Sequence, residues 1–281
     1  MQLKEIAAKI LTPVLRHVPR NRKWLYPFYL AGQLNVVAEE VYSPRLPQAF
    51  NGFSIAYASD IHYGPFFGNR EADRLIRQLL GLQADLVILG GDYGSVHASS
   101  IAFFEYIPAF PDSQTVLAVL GNHDYGENSE AVEPLLQAMR NKSVHPLVND
   151  VWTLKKQGAK LAVCAPDDLK YGHPDFKPLL KEAKGADFIL FAPHSPDLIP
   201  EAEKAGFAYH LALCGHTHGG QIVLFGHSLQ SSSIYGDRYR AGWYKERGTN
   251  IFVSSGVGTS ILPMRLGTRP EIHKFTLRAK G

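Results

Sequence analysis

Four short polar clusters each close an apolar run: Ser59-Asp60-Ile61-His62, Gly90-Gly91-Asp92, Gly121-Asn122-His123-Asp124 and Gly215-His216-Thr217-His218-Gly219-Gly220-Gln221. Carboxylate, carboxamide and imidazole groups collected in this way form a ligand set for divalent metal ions. Oxygen and imidazole donors suit Mn, Fe, Zn, Co or Ni, and the lack of thiolates argues against an iron–sulfur cluster or a structural zinc knot. A single ion takes about four to six ligands. A set richer than that predicts two ions, about 3.5–4 Å apart and bridged by a carboxylate. Two divalent cations carry more charge than two ligand carboxylates cancel, so the site would attract phosphate without Arg or Lys. The chemistry expected is hydrolysis of a phosphate ester, with hydroxide held by the ions as nucleophile.

Elements must bring these clusters to one edge. Asp60, Asp92 and Asn122 follow one another at intervals of about 30 residues, the length of a βαβ unit, so successive parallel strands would deliver them together. Asp60 and His62, like His216 and His218, are separated by one residue, which in an extended chain points both side chains the same way. Strand-like runs cover 53–59, 84–91, 114–121, 160–165, 187–192, 208–214, 251–255 and 271–277. Helical spacing marks 70–82, through Ala72, Leu75, Ile76, Leu79 and Leu80. A second helix is expected after a cap at Ser129, with Ala131, Val132, Leu135, Leu136 and Met139 as its apolar face. Shorter helices are expected over 175–184 and 196–205. The second half has more strands per helix than the first. The predicted fold is therefore α/β, a two-sheet β-sandwich flanked by helices (αββα), with the metal site at strand C-terminal ends. Residues 226–249 read as a long loop. Its Tyr235, Arg238, Tyr239, Arg240, Trp243 and Tyr244 would either cover the metal edge and select the leaving group, or pack on the surface.

Composition bounds the rest. A chain of 281 residues, 45% hydrophobic and 20% charged, suits one large globular domain. The net charge of +3 is unevenly placed, with Lys4, Lys9, Arg16, Arg20, Arg22 and Lys23 against Glu5 in residues 1–33. In this arm Leu3, Ile6, Ala7, Ile10 and Leu11 make one helical face, and Thr12-Pro13 reads as a cap and first-turn proline. The basic run leads into Trp24, Tyr26, Phe28 and Tyr29. Such a segment suits an anionic membrane surface, or else packs on the domain. The expected division is an arm over 1–33 and a catalytic domain over 34–281. Cys164 and Cys214 lie among apolar residues and read as buried, inert thiols, which favours a reducing compartment. No stretch is apolar enough to span a bilayer and no secretory signal is evident. The expected location is the cytoplasm, with the arm offering attachment to the inner face of the membrane. Nothing specific points to nucleic acid. His97, His145, His173, His210, His227 and His273 lack ligand context.

The series Asp-X-His, Gly-Asp, Gly-Asn-His-Asp, an isolated His194 in Phe191-Ala192-Pro193-His194-Ser195-Pro196-Asp197, and Gly-His-X-His resembles the calcineurin-like metallophosphoesterase superfamily. The resemblance runs from about residue 34 to 281. It is greatest to the bacterial branch ending in Gly-His-Thr-His-Gly-Gly-Gln, whose C-terminal signature reappears as Leu262-Pro263-Met264-Arg265-Leu266-Gly267 before Pro270-Glu271-Ile272. The resemblance implies that Asp60, His62 and His218 bind a first ion, that Asn122, His194 and His216 bind a second, and that Asp92 bridges them. Mn, Fe or Zn would be the metals. It implies that His123 protonates the leaving oxygen and contacts the phosphate, with Asp124 orienting the imidazole. An imidazole can donate a proton near neutral pH. The implied activity is that of a phosphodiesterase or pyrophosphatase. A narrower alternative is cleavage of UDP-2,3-diacylglucosamine at its pyrophosphate on the membrane surface. A non-catalytic metal-binding scaffold is another, disfavoured because the ligand set is complete. Tyr93-Gly94-Ser95 stands where the phosphoprotein phosphatase branch carries Asp-Arg-Gly, and Asp124 where that branch has Glu, which argues against protein phosphatase activity. Ser255 stands where bacterial relatives often carry Arg, so an arginine–phosphate contact is not expected there.

Overall fold

The apolar runs that precede the ligand clusters become the central strands of two sheets. The computed structural model describes residues 30–126, 131–229 and 231–280. The first half runs β1 (Asn35–Ser43), β2 (Ser54–Ala58), α1 (Asn69–Gly81), β3 (Leu86–Leu89), α2 (His97–Tyr106), β4 (Thr115–Val119), α3 (Glu133–Arg140) and β5 (His145–Leu147). The second runs β6 (Asp150–Lys156), β7 (Ala159–Ala165), α4 (Phe176–Glu182), β8 (Phe188–Phe191), α5 (Leu198–Lys204) and β9 (Leu211–Cys214). A short hairpin of β10 (Val223–Leu224) and β11 (His227–Ser228) follows, then β12 (Gly242–Glu246), β13 (Thr249–Val253) and β14 (Glu271–Ala279).

One sheet has the order β1-β14-β2-β3-β4-β5 and the other β12-β13-β9-β8-β7-β6. Strands β2 to β5 are mutually parallel. So are β13, β9, β8 and β7. Strand β14 enters between β1 and β2, parallel to the first and antiparallel to the second.

The two-residue alternation of a strand divides the core into three layers. Ile55, Tyr57, Leu86, Ile88, Leu117 and Val119 meet Leu161, Val163, Leu190, Leu211 and Leu213 between the sheets. Their neighbours Ala56, Ala58, Val87 and Leu89 turn outward to Leu75 and Leu79 of α1, Phe103 and Phe104 of α2, and Leu135 and Met139 of α3. On the far side, Ala162, Cys164, Ala212 and Cys214 pack on Leu179 of α4 and Leu198 and Ala202 of α5. The helix–sheet–sheet–helix order is the α/β sandwich expected from the spacing. Both cysteines are free and buried, and burial pushes their thiols up, as inert residues require.

Several elements differ from expectation. Helix α2 is not marked by any stripe, because Ile101-Ala102-Phe103-Phe104 is apolar on consecutive residues. Helix α3 starts at Glu133 with Pro134 in its first turn, and Ser129 lies outside the described residues. Residues 226–249 are not one open loop, since they contain β11, a 3₁₀ turn over Gly236–Tyr239 and β12. Tyr239 is fully buried, with Tyr235 and Tyr244 packed beside it against the second sheet. Trp243 packs on Phe252 and donates Nε1 to Glu39 at 3.2 Å, and Arg238 pairs with Glu246 at 2.8 Å. These residues pack instead of covering the metal edge. Arg240 donates to the Gly226 carbonyl. The helical, cap and aromatic features expected through Tyr29 fall outside the described residues. Among the described residues, no helix is long and apolar enough to cross a membrane.

Candidate metal centre

Each expected ligand stands just past the carboxyl end of a parallel strand: Asp60 and His62 after β2, Asp92 after β3, Asn122 after β4, His194 after β8, and His216 and His218 after β9. The first three strands belong to one sheet and the last two to the other, so the ligands meet where the two sheets share an edge. Donor atoms of Asp60, His62 and His218 lie within 4.8 Å of one another, as do those of Asp92, His194 and His216. Asp92 stands between the groups, its Oδ2 3.6 Å from His62 Nε2 and 3.3 Å from His194 Nε2.

The backbone is bent to reach this arrangement. Asp60, His62, Asp92, His216 and His218 have φ of 55°, 51°, 57°, 72° and 52°. Non-glycine residues rarely occupy this left-handed region, and runs of them mark sites where side-chain aim outweighs backbone comfort. Two glycines make room. Gly91 has φ 89°, and a Cβ there would lie 2.7 Å from the Gly121 nitrogen and from His194 Nδ1. A Cβ on Gly215 would come 2.5 Å from Asp60 Oδ2.

The donor set fits cations. His194 Nδ1 lies 2.7 Å from the Gly90 carbonyl, so Nδ1 carries the proton and Nε2 presents a lone pair to Asp92. Two acceptors facing each other need a positive charge between them. Burial alone would depress His194, yet the Asp92 carboxylate beside it raises its pKa to about 10, the preference of that pair for a positive charge. His216 Nε2 donates to the Ser232 carbonyl at 3.1 Å, leaving Nδ1 as the acceptor, buried and without a partner. Asn122 Oδ1 and His218 Nδ1 are likewise buried and unpartnered. Burial drives His62 down to about 3 and His218 well below its usual value, so both are neutral imidazoles, the form that binds metal. Against the cost of burial, His194 and His123 hold the Asp92 carboxyl well below the usual carboxylate range. The site therefore offers two adjoining positions suited to two divalent ions of the Mn, Fe or Zn type.

The second residue pair of the Asn-His-Asp cluster behaves differently from the expectation. Asn122–Asp124 is one 3₁₀ turn, in which adjacent side chains point apart. The Asp124 carboxylate accepts from the main-chain nitrogens of Asp92, Tyr93 and Gly121 at 2.8, 2.9 and 2.8 Å, and from Ser100 Oγ at 2.7 Å. His123 is held instead by the Ser95 carbonyl, 3.0 Å from Nδ1. Because a carbonyl only accepts, that contact puts the proton on Nδ1 and leaves Nε2 as the nitrogen free to act. The sequence marks neither Ser95 nor Ser100: Ser95 meets His123 through its main-chain carbonyl while its Oγ donates to the His62 carbonyl at 3.2 Å, and Ser100 lies inside the unmarked α2. His97 also belongs here, with Nδ1 2.6 Å from the Asp124 carbonyl.

The C-terminal signature supplies a buried buckle. Arg265 is wholly buried and donates to the carbonyls of Gly258 at 2.6 Å, Gly256 at 3.2 Å and His218 at 3.1 Å. It ties the His218 turn to the segment whose Gly258 nitrogen bonds the Asp60 carbonyl at 2.7 Å. Ser255 Oγ is engaged by the Arg269 carbonyl at 2.6 Å and by Glu271 at 3.1 Å.

Comparison with known proteins agrees with this geometry. The model of the calcineurin-like phosphoesterase family matches residues 53–231. The uncharacterized metallophosphoesterase YkuE of Bacillus subtilis is 30% identical over 262 residues, covering 90% of this chain and 89% of that protein. Phosphodiesterase YaeI of Escherichia coli is 27% identical over 229 residues, covering 80% of this chain and 82% of that protein. A transmembrane protein with metallophosphoesterase domain from Bos taurus is 28% identical over 259 residues, and the chain spans 57% of its length. The family match takes in the strand-end clusters from Asp60 to His218 and more than half of the sequence. The chain therefore belongs to the calcineurin-like phosphoesterase family, as a member with a dinuclear metal-binding site.

Proposed function

We propose that the protein is a phosphodiesterase or pyrophosphatase of the bacterial branch, most active with manganese. The observation that carries this reading is Asp92 standing between two sets of buried, largely neutral donors. In this reading Asp60, His62 and His218 hold the first ion, Asn122, His194 and His216 the second, and Asp92 both. When bound, the ions supply Lewis acidity and activate water. In-line attack on phosphorus breaks the bond to an alkoxide or phosphate oxygen, which takes the Nε2 proton of His123 in its imidazolium form and leaves the neutral imidazole with its remaining proton on Nδ1. The Ser95 carbonyl orients that imidazole. Asp124 acts one step back, by fixing the main chain that carries Asp92. The name of the Escherichia coli relative favours a diester over a monoester.

The test is hydrolysis by protein reconstituted with Mn²⁺, Fe²⁺ or Zn²⁺. A p-nitrophenyl phosphomonoester, bis-p-nitrophenyl phosphate and a nucleotide-sugar pyrophosphate would be compared at equal concentration. Diester or pyrophosphate turnover well above monoester turnover is expected. A preference for the monoester would overturn the reading.

A further inference from the structure

Large apolar side chains are exposed most heavily beside the metal centre. Among the described residues, seven of the twelve such side chains lie from Leu224 to Leu262, and these include the four most exposed: Phe225 at 101%, Ile234 at 76%, Leu229 at 66% and Ile261 at 57%. Phe225 and Ile261 also have φ of 50° and 64°. A left-handed backbone is unfavourable for bulky and β-branched residues, and here no burial compensates.

The two segments that carry them form one rim. Gln221 Nε2 donates to the carbonyls of Ser260 at 2.8 Å and Leu262 at 3.1 Å, and its Oε1 accepts from the Ser260 nitrogen at 2.8 Å. Val223 donates to the Leu266 carbonyl at 2.8 Å. The rim begins directly after His218, and its Ser232 carbonyl touches His216.

Its charge differs from that of the body. Across 222–269, leaving out the buried Arg265, the basic residues Arg238, Arg240, Lys245, Arg247 and Arg269 stand against Asp237 and Glu246. Residues 34–221 carry the opposite balance, 14 basic against 22 acidic. Phe225, Leu229, Ile234 and Ile261 project from turns and bends. Such projections suit a deformable apolar medium, which needs no shaped counterpart, and basic neighbours suit anionic headgroups.

We propose that this rim seats the metal centre on an anionic lipid bilayer, with Phe225, Leu229, Ile234 and Ile261 entering the interface. The substrate class that follows is a phosphodiester or pyrophosphate anchored in the bilayer by acyl chains. The substrate half rests on the phosphohydrolase reading, whereas the docking half does not.

The test uses the full chain and vesicles of phosphatidylcholine with or without phosphatidylglycerol. The parent should bind the anionic vesicles, and the double variant Phe225→Ser/Ile261→Ser should bind them about tenfold more weakly or worse. Attraction from residues 1–33 is common to both proteins and cancels in the comparison. Because both side chains are exposed, the melting temperature and turnover of soluble bis-p-nitrophenyl phosphate should not change. Fluorescence of Phe225→Trp should be quenched by brominated lipid beyond the quenching of the parent. Docking is overturned if the parent does not bind, if the double variant binds equally, or if Phe225→Ser only abolishes self-association. With a diacyl p-nitrophenyl phosphodiester in the vesicles, turnover should fall in the double variant, and equal turnover overturns the substrate half. Vesicle binding without hydrolysis of either diester leaves docking in place and rejects the phosphohydrolase reading.

Discussion

The Asp124 carboxylate accepts the main-chain N–H of Asp92 at 2.8 Å, so an acidic residue adjacent to His123 fixes the ligand between the two metal positions and not the imidazole beside it. Burial, and then the charge of Asp92, pushes its pKa up to about 6. In Asp124→Asn one carboxylate oxygen becomes an amino group aimed at buried N–H donors. A loss of roughly 2–4 kcal/mol is expected, since each unsatisfied buried polar group costs about 1–3 kcal/mol. Urea unfolding and elemental analysis should show lower stability and lower metal content together. Normal stability and metal content with a slower rate would instead return Asp124 to a role on His123.

Asp92→Asn tests the shared ligand. With one carboxylate serving both positions, the variant should weaken both, by on the order of 100-fold or more in affinity. Metal-reconstituted parent should approach two equivalents per chain. A variant that still holds two would remove Asp92 from its bridging place.

His123→Ala separates proton donation from metal binding. The variant should keep both metals and lose about two to four decades of rate on a diester with a poor leaving group. The loss should be smaller with p-nitrophenolate, which departs with little need of a proton. Equal losses on the two substrates would exclude His123 as the acid, and missing metal would make it a ligand.

His273 predicts the acid limb of stability. It is 1% exposed, stacked on Phe275 and close to Phe252, and burial holds its pKa down at about 4. The unfolded value is about 6.5. As pH falls the unfolded chain therefore binds this proton first. The contribution is complete above pH 6.5 and is lost as pH falls through 4, roughly 3 kcal/mol in total. His273→Phe should flatten the urea midpoint against pH within that window. Parallel curves for parent and variant would show that His273 is not responsible.

The clusters gathered at the strand ends were legible in the sequence because metal binding restricts residue type and strand ends restrict position. Asp60, Asp92 and Asn122 declare both at once. The hydrogen bonds behind them were not legible. Ser95 holds His123 through a main-chain carbonyl, which any residue could provide, and Asp124 invites pairing with its neighbour although a 3₁₀ turn points the two apart. The central strands showed as apolar runs, whereas β1 alternates in burial and gains its place from a partner more than 200 residues away. Helix α2 hid because it is apolar on too many sides.

Strand β14 imposes an order on the making of the protein. Among the described residues, strand β1 pairs with β14 alone, and β2 pairs with β14 on that flank. On a ribosome the first sheet therefore waits, with a gap one strand wide, until residues 271–279 emerge. Strands β2 to β4 and their helices can assemble earlier, but with an unsatisfied edge, the kind of surface that other chains pair with. Translation stopped before residue 271 would release an open template for aggregation.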